Sequence, residues 1–246
     1  MSIASIYIGN AGWNIPADQK SNFPEEGTHL ERYASSLPCV EINSSFYKTH
    51  LDKTYIRWRE SVPKNFRFSV KFPKTITHQH RLKDVDNLLD DFLKGIIGLR
   101  EKLGCLLIQL PPSFAFNEKV AVSFLNALRH RYHGPLVLEA RHKTWFTEDV
   151  EKIMVNYKVA QVAADPAVCV LDEAPRGWQE LIYYRWHGTP DIYKSRYSVE
   201  QIDALAQKVN EHVKNNKTVW CIFDNTTYGA SYDNAFELIS ALNIKL

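Results

Sequence analysis

The sequence predicts a single (β/α)8 barrel, an α/β fold of eight parallel strands running as one domain over residues 1–246. Three observations carry that expectation. There are eight short β-rich runs, their starts lie near the ~30 residues expected when ~250 residues are shared among eight βα units, and most intervals carry helical patterning.

The runs are Ile6–Ile8, Cys39–Ile42, Arg67–Val70, Cys105–Leu110, Leu136–Leu138, Ala160–Ala163, Ile182–Arg185 and Val219–Phe223. Between the first two, Thr28 and Glu31 form a capping-box pattern, and Leu30, Tyr33, Ala34 and Leu37 follow at the spacing of one buried helix face. From Val85 to Leu103 the apolar stripe is broader, through Leu89, Phe92, Leu93 and Ile96. Asn117, Thr147 and Ser198 with Gln201 each stand ahead of a further periodic run, as N-caps do, and Asp233 is expected to open the last helix. Two crossovers read as irregular. The second is short between Phe46 and Pro63, and the sixth, Asp172 to Glu180, contains Pro175 and Gly177.

Composition is that of an ordinary globular chain, with 45% hydrophobic and 24% charged residues. The net charge of +2, from 30 Lys and Arg against 28 Asp and Glu, is too small to demand nucleic acid or an anionic membrane as partner. No run approaches the roughly 18 apolar residues of a membrane span, and Met1 to Trp13 lacks a leader pattern, so a cytoplasmic location is expected. Cys39, Cys105, Cys169 and Cys221 are far apart with no Cys-x-x-Cys pair; they are expected to be small buried hydrophobes in a reducing compartment.

In such barrels the chemistry comes from residues at the carboxyl ends of the strands. Here those ends are unusually polar: Glu41 and Asn43 after the second run, Lys71 after the third, Gln109 at the fourth, Glu139 and Arg141 after the fifth, Arg185 and His187 at the seventh, and Asp224 and Asn225 after the eighth. Side chains alternate along a strand, so Glu139 pairs in direction with Arg141, and Arg185 with His187. Buried carboxylates and guanidinium groups are costly unless paired, so the pattern implies an ion-pair network or a site. A salt-bridged plug is the bland alternative. An excess of cations over the two carboxylates Glu41 and Glu139 favours an anionic ligand, with Arg141 and Arg185 able to grip phosphate or carboxylate through two N–H groups. His142 alternates away and is expected to support the strand from behind.

Around the mouth, Gly9–Trp13 reads as a tight turn presenting Trp13, since it lacks the Lys-Ser/Thr ending of a phosphate loop. Thr77–Arg81, which contains His78, and Tyr193–Tyr197 interleave cations with rings, as nucleic-acid surfaces do, although short runs of this kind are more often solvated loops.

Several of these segments carry a resemblance. Gly9-Asn10-Ala11-Gly12-Trp13, Val40-Glu41-Ile42-Asn43-Ser44-Ser45-Phe46-Tyr47, Phe68-Ser69-Val70-Lys71-Phe72-Pro73, Gln109-Leu110-Pro111-Pro112-Ser113-Phe114, Glu139-Ala140-Arg141-His142-Lys143-Thr144-Trp145, Arg185-Trp186-His187-Gly188 and Phe223-Asp224-Asn225-Thr226 resemble the signatures of the YecE-like family, a domain of unknown function. The resemblance implies a TIM-like barrel and supplies no reaction. Asp224 stands where the family tends to carry Asn, and Asn10-Ala11 where Thr-Ser is usual.

The function expected from these residues is that of an enzyme acting by acid/base chemistry on a small phosphorylated, carboxylated or sugar-derived anion. Glu41, Glu139 and His187 are the candidate catalytic groups. Trp13, Asn43, Lys71, His78, Gln109, Arg141, Arg185 and Asn225 are the candidate binding groups. No cofactor is required and no metal ligand set is assigned. One competing expectation is a divalent-metal nuclease or phosphoesterase using Glu41, Glu139, Asp165 and His187; another is a non-catalytic binding protein with the same pocket.

Overall fold

A computed structural model describes residues 5–244; residues 1–4 and 245–246 at the ends of the expected domain lie outside the described residues. The strands are β1 (Ile6–Asn10), β2 (Cys39–Ile42), β3 (Arg67–Lys71), β4 (Leu103–Gln109), β5 (Leu136–Glu139), β6 (Val159–Gln161), β7 (Ala163–Asp165), β8 (Arg176–Gly177), β9 (Leu181–Trp186) and β10 (Thr218–Phe223). They form one sheet in the order β7-β9-β10-β1-β2-β3-β4-β5-β6-β8. Every pairing is parallel except that of β6 with β8. The fold is thus an α/β barrel, nearly closed and mostly parallel.

Among the described residues ten strands stand where the sequence predicts eight. The expected sixth strand is broken at Val162, because the chain changes neighbours there. Val159–Gln161 pairs with Leu136–Leu138 of β5, whereas Ala163–Asp165 pairs with Tyr184–Trp186 of β9. The added strand β8 lies antiparallel on β6, with Gly177 opposite Ala160. Gly177 is required: its φ is +70°, and a Cβ there would stand 2.6 Å from the Val159 carbonyl oxygen. Crossover six is otherwise helix-poor, as expected, with a single 3₁₀ turn at Val170–Asp172.

The helices are α1 (His29–Ala34), α2 (Ser44–Tyr47), α3 (Asp52–Glu60), α4 (Asp86–Ile96), α5 (Glu118–Arg131), α6 (Glu148–Asn156), α7 (Val199–Lys214) and α8 (Ala230–Ala241). Thr28 with Glu31 and Ser198 with Gln201 make the two capping boxes, and Asn117 and Thr147 cap α5 and α6. Three expectations change. Crossover two contains the nine-residue α3, held by buried Tyr55. The stripe from Val85 leaves the α-helix after Ile96, where Gly98 packs so tightly that a Cβ would stand 2.7 Å from the Asp52 carbonyl oxygen, and a 3₁₀ segment follows. The last helix starts at Ala230, after Gly229 at φ +78°, and Asp233 sits in its first turn, where it accepts from Gln19.

The core has two layers. Between barrel and helices lie residues such as Ile8, Val40, Phe72, Leu106, Leu128, Val219 and Leu238, each fully buried one stabilising the fold by about 1.5–3 kcal/mol. Inside the barrel lie Cys39, Cys105, Leu107, Val137, Ala160, Tyr183, Trp220 and Ile222. All four thiols are free; Cys169 is only partly buried and the other three are buried. Among the described residues no helix is long and apolar enough to cross a membrane.

Candidate functional site

Strand alternation turns the apolar barrel interior into a polar mouth within one residue pair. Two positions beyond Cys39, Ser69, Leu107, Val137, Tyr183 and Ile222 stand Glu41, Lys71, Gln109, Glu139, Arg185 and Asp224, all buried. Arg185 is the hub. Its Nε lies 3.1 Å from Glu41 Oε2, its Nη2 2.7 Å from Glu41 Oε1 and 3.0 Å from Asp224 Oδ2, and its Nη1 3.2 Å from Glu139 Oε2. With Nη1 also 3.2 Å from the His187 ring nitrogens, each of its three nitrogens is engaged.

Glu139 is saturated as an acceptor. Oε1 takes Arg141 Nε at 2.8 Å and faces His187 Nε2 at 3.0 Å, while Oε2 takes Gln109 Nε2 at 2.9 Å and Arg185. Burial alone would raise its carboxyl, but Arg141, Arg185 and His187 outweigh burial and hold it well below the usual carboxylate range. Asp224 follows the same logic: burial opposes the charge, and Arg185, His187 and Lys71 prevail, so its carboxyl is lowered. The other His187 nitrogen, Nδ1, lies 3.0 Å from Asp224 Oδ2. Each ring nitrogen thus faces a carboxylate, and a neutral ring can donate to only one of them.

Glu41 is wholly enclosed. Tyr183 donates to its Oε2 at 2.8 Å, and the same hydroxyl is 3.0 Å from Ser69. Glu139, Arg141 and His187 instead line a cavity of about 190 Å³ with Pro112, Ala164, Pro166, Val168 and Ile192. Its volume is below the usual drug-sized range.

Among the remaining predicted residues, Lys71 is 8% exposed, and its ammonium lies 4.4 Å from the centre of the Phe46 ring. That ammonium makes no hydrogen bond or ion pair among the described residues. Burial, with repulsion from Arg185, pushes its amine down to about 8 against the opposing pull of Glu41, Glu139 and Asp224. His78 stands edge-on to the same ring at 4.9 Å, and its pKa is lowered by burial and by Lys71, Arg141 and Arg81. Trp13 packs edge-on against Trp58 at 5.0 Å. Asn43 precedes α2 and leaves a buried Oδ1 without a partner. Asn225 is buried and ties the Ser195 carbonyl to Asn234 of α8, holding the loop that follows β9. That loop turns at Gly188, whose φ of +97° and 3.0 Å clearance from the Ser195 carbonyl exclude a side chain. His142 turns aside from Arg141 and caps the Lys143–Trp145 turn by accepting from Thr144 N.

The arginines of the two flanking loops are engaged locally. Arg81 donates to Ser113, and Arg196 pairs with Asp233 and Glu237. Asp165 accepts from Tyr197 at 2.7 Å and from Thr189, away from the Arg185 hub. Among the described residues no group of three or more His, Cys, Asp or Glu side chains is placed to hold a metal ion.

Sequence reasoning placed Asp224 at the mouth without counting it among the paired charges, and it passed over Tyr183 and Asp172. Asp224 enters the network as a third carboxylate, so Glu41, Glu139 and Asp224 balance Lys71, Arg141 and Arg185, and the expected cation excess disappears as a simple count. Tyr183 was visible in the alternation Tyr183, Arg185, His187. Asp172 was not. It is buried in crossover six, accepts from Val168 N at 2.9 Å, and burial pushes its carboxyl up to about 7 with Glu139 adding to the rise.

Fold and site together define a class: parallel α/β barrels with an ion network at the carboxyl ends of the strands. The chain belongs to the family described as protein of unknown function DUF72, whose model matches residues 7–246, which bears out the YecE-like resemblance. The protein YecE of Escherichia coli O157:H7 is 33% identical over 171 residues, 69% of this chain; the match spans 60% of that relative's length. The protein YunF of Bacillus subtilis is 26% identical, with 98% of this chain and 95% of that protein covered. A solved DUF72 family protein of Enterococcus faecalis superposes with a TM-score of 0.84 at 23% identity over 98% of this chain and 96% of that one, a likeness of fold.

Proposed function

We propose that the mouth is the active site of an enzyme that moves a proton on a small phosphorylated or carboxylated substrate, by isomerase, lyase or hydrolase chemistry. The observation that carries this reading is which donors are left over. The oxygens of Glu41 and Glu139 and the N–H groups of Arg185 are all spent inside the network. Arg141 uses Nε on Glu139 and Nη2 against His187, with Nη1 only 3.5 Å from the Tyr193 hydroxyl, and so keeps N–H groups toward the cavity. Lys71 keeps all of its own. Both donors are open to a ligand: the Arg141 side chain is 25% exposed, and the Lys71 nitrogen is not among the fully buried atoms that lack a partner.

The roles follow from position. Arg141 and Lys71 attract the anion. His187, oriented by Asp224, is the proton donor or acceptor, and Glu139 orients both His187 and Arg141. A carboxylate held as low as Glu139 is a weak base, which favours the imidazole for proton transfer. Glu41, Tyr183 and Gln109 brace Arg185 and Glu139.

The test is thermal unfolding of the wild-type protein and Arg141→Ala against inorganic phosphate and a panel of phosphorylated and carboxylated metabolites. Stabilisation of the wild type that Arg141→Ala loses supports the reading. Equal responses from both proteins, or none from either, would sink it.

A further inference from the structure

Lys71 is over-provided for a mere attractor of anions. It lies on the inward face of β3, two residues beyond Ser69, buried to 8% exposure with an ammonium that has no hydrogen-bond partner among the described residues. The Phe46 ring lies 4.4 Å from it, and a cation–π contact offsets only part of the cost of taking an ammonium out of water. Partial desolvation of an ammonium carries a cost that a methionine in the same space would avoid. A side chain retained at that cost is retained for its nitrogen.

We propose that Lys71 is a covalent amine, which captures the carbonyl carbon of an aldehyde or ketone substrate whose anionic group is held by Arg141. The lone pair of the neutral amine forms the N–C bond while the C=O π pair moves to oxygen. A proton passes from nitrogen to that oxygen, giving a carbinolamine. The nitrogen lone pair then expels the hydroxyl, which takes a second proton and leaves as water, and an iminium remains. No oxidant, reductant or metal is consumed. The groups facing this nitrogen are Arg185, Glu41, Glu139 and Asp224 from the strands and His78 from the loop after β3. Asp224 Oδ1 makes no hydrogen bond among the described residues and, with His187 on Oδ2, forms a proton relay beside the reacting atoms.

Burial makes the amine usable near neutrality. With its pKa at about 8, roughly a tenth of Lys71 is neutral at pH 7, against about 0.03% of an ordinary lysine, on the order of 300-fold more free amine. The proposal rests on the anion-site reading and deepens it to carbonyl-bearing anions.

The experiment uses glycolaldehyde phosphate with sodium cyanoborohydride at pH 7, quenched at short times and mapped by peptide mass spectrometry. Lys71 is expected to acquire the reduced adduct at least about tenfold faster than exposed lysines such as Lys152, with inorganic phosphate slowing it and unphosphorylated glycolaldehyde reacting less selectively. In Lys71→Arg the adduct on that peptide vanishes and those elsewhere persist. Modification of Lys71 at or below the rate of exposed lysines overturns the proposal. If Lys71→Arg and Lys71→Met both fail to fold by circular dichroism, the rate ratio within the wild type decides alone. Phosphate binding without selective labelling removes this inference and spares the anion site; selective labelling without phosphate binding does the reverse.

Discussion

Removal of the hub tests the energetics of the mouth directly. Arg185→Met deletes a guanidinium that is fully buried and contacts three carboxylates. The losses are unequal. Glu139 keeps Arg141, Gln109 and His187, and Asp224 keeps His187, whereas Glu41 keeps in direct contact among the described residues only the Tyr183 hydroxyl, with Lys71 acting on it from further off. One buried carboxylate without a counter-ion costs about 3–5 kcal/mol. For a chain of this length that corresponds to a fall in Tm of roughly 6–20 °C. Glu41→Gln placed on top of Arg185→Met removes the stranded charge and should return more than half of the loss, a coupling read as a double-mutant cycle. The penalty is also pH-dependent. Wild-type Glu139 and Asp224 have lowered carboxyls, so their contribution is present above the unfolded carboxylate pKa of about 4 and is lost as pH falls through their lower folded values. Without Arg185 that contribution shrinks, and the gap between wild type and variant narrows toward acid pH. Urea or thermal unfolding between pH 3 and 8 measures it. A loss below about 1 kcal/mol at pH 7, or strictly additive single substitutions, would refute the reasoning.

Other outcomes follow from single contacts. Asp172 has a raised pKa, so its stabilising contribution is complete below about pH 4 and lost as pH rises through about 7. Asp172→Asn should therefore match the wild type near pH 4 and exceed it by on the order of 2–4 kcal/mol above pH 7, with parallel Tm profiles counting against this. Gly188→Ala places a Cβ at positive φ against the Ser195 carbonyl and should cost about 1–3 kcal/mol in urea unfolding. Ser198→Ala deletes the cap on α7 and should cost about 1 kcal/mol, while Ser198→Asp should not.

Much of the barrel was legible because period and capping are local signals. Thr28, Asn117, Thr147 and Ser198 act on backbone within three residues, so the sequence alone locates them. The break at Val162 was illegible, since no local feature of Val-Ala-Gln-Val-Ala-Ala says that the strand changes neighbours midway. That choice is made by β5 and β9, both more than fifteen residues distant in the chain. The mouth divides in the same way. Alternation placed Glu41, Glu139, Arg185 and His187 on one inward face. Only tertiary geometry shows that Glu41 is sealed beneath Arg185 and that Arg141 and Lys71 hold the unspent donors. Asp172 gave no sequence signal because its environment is made by a non-repetitive loop folding back on Val168.

The broken strand has one more meaning. From Val162 the chain runs directly through Ala164, Pro166 and Val168, the apolar wall of the cavity. The seam where the barrel nearly closes is therefore also the wall that sizes its cavity. Lengthening or trimming the chain between Asp165 and Asp172 would resize that chamber while the ladders from β9 through β10 and β1 to β5 kept their register.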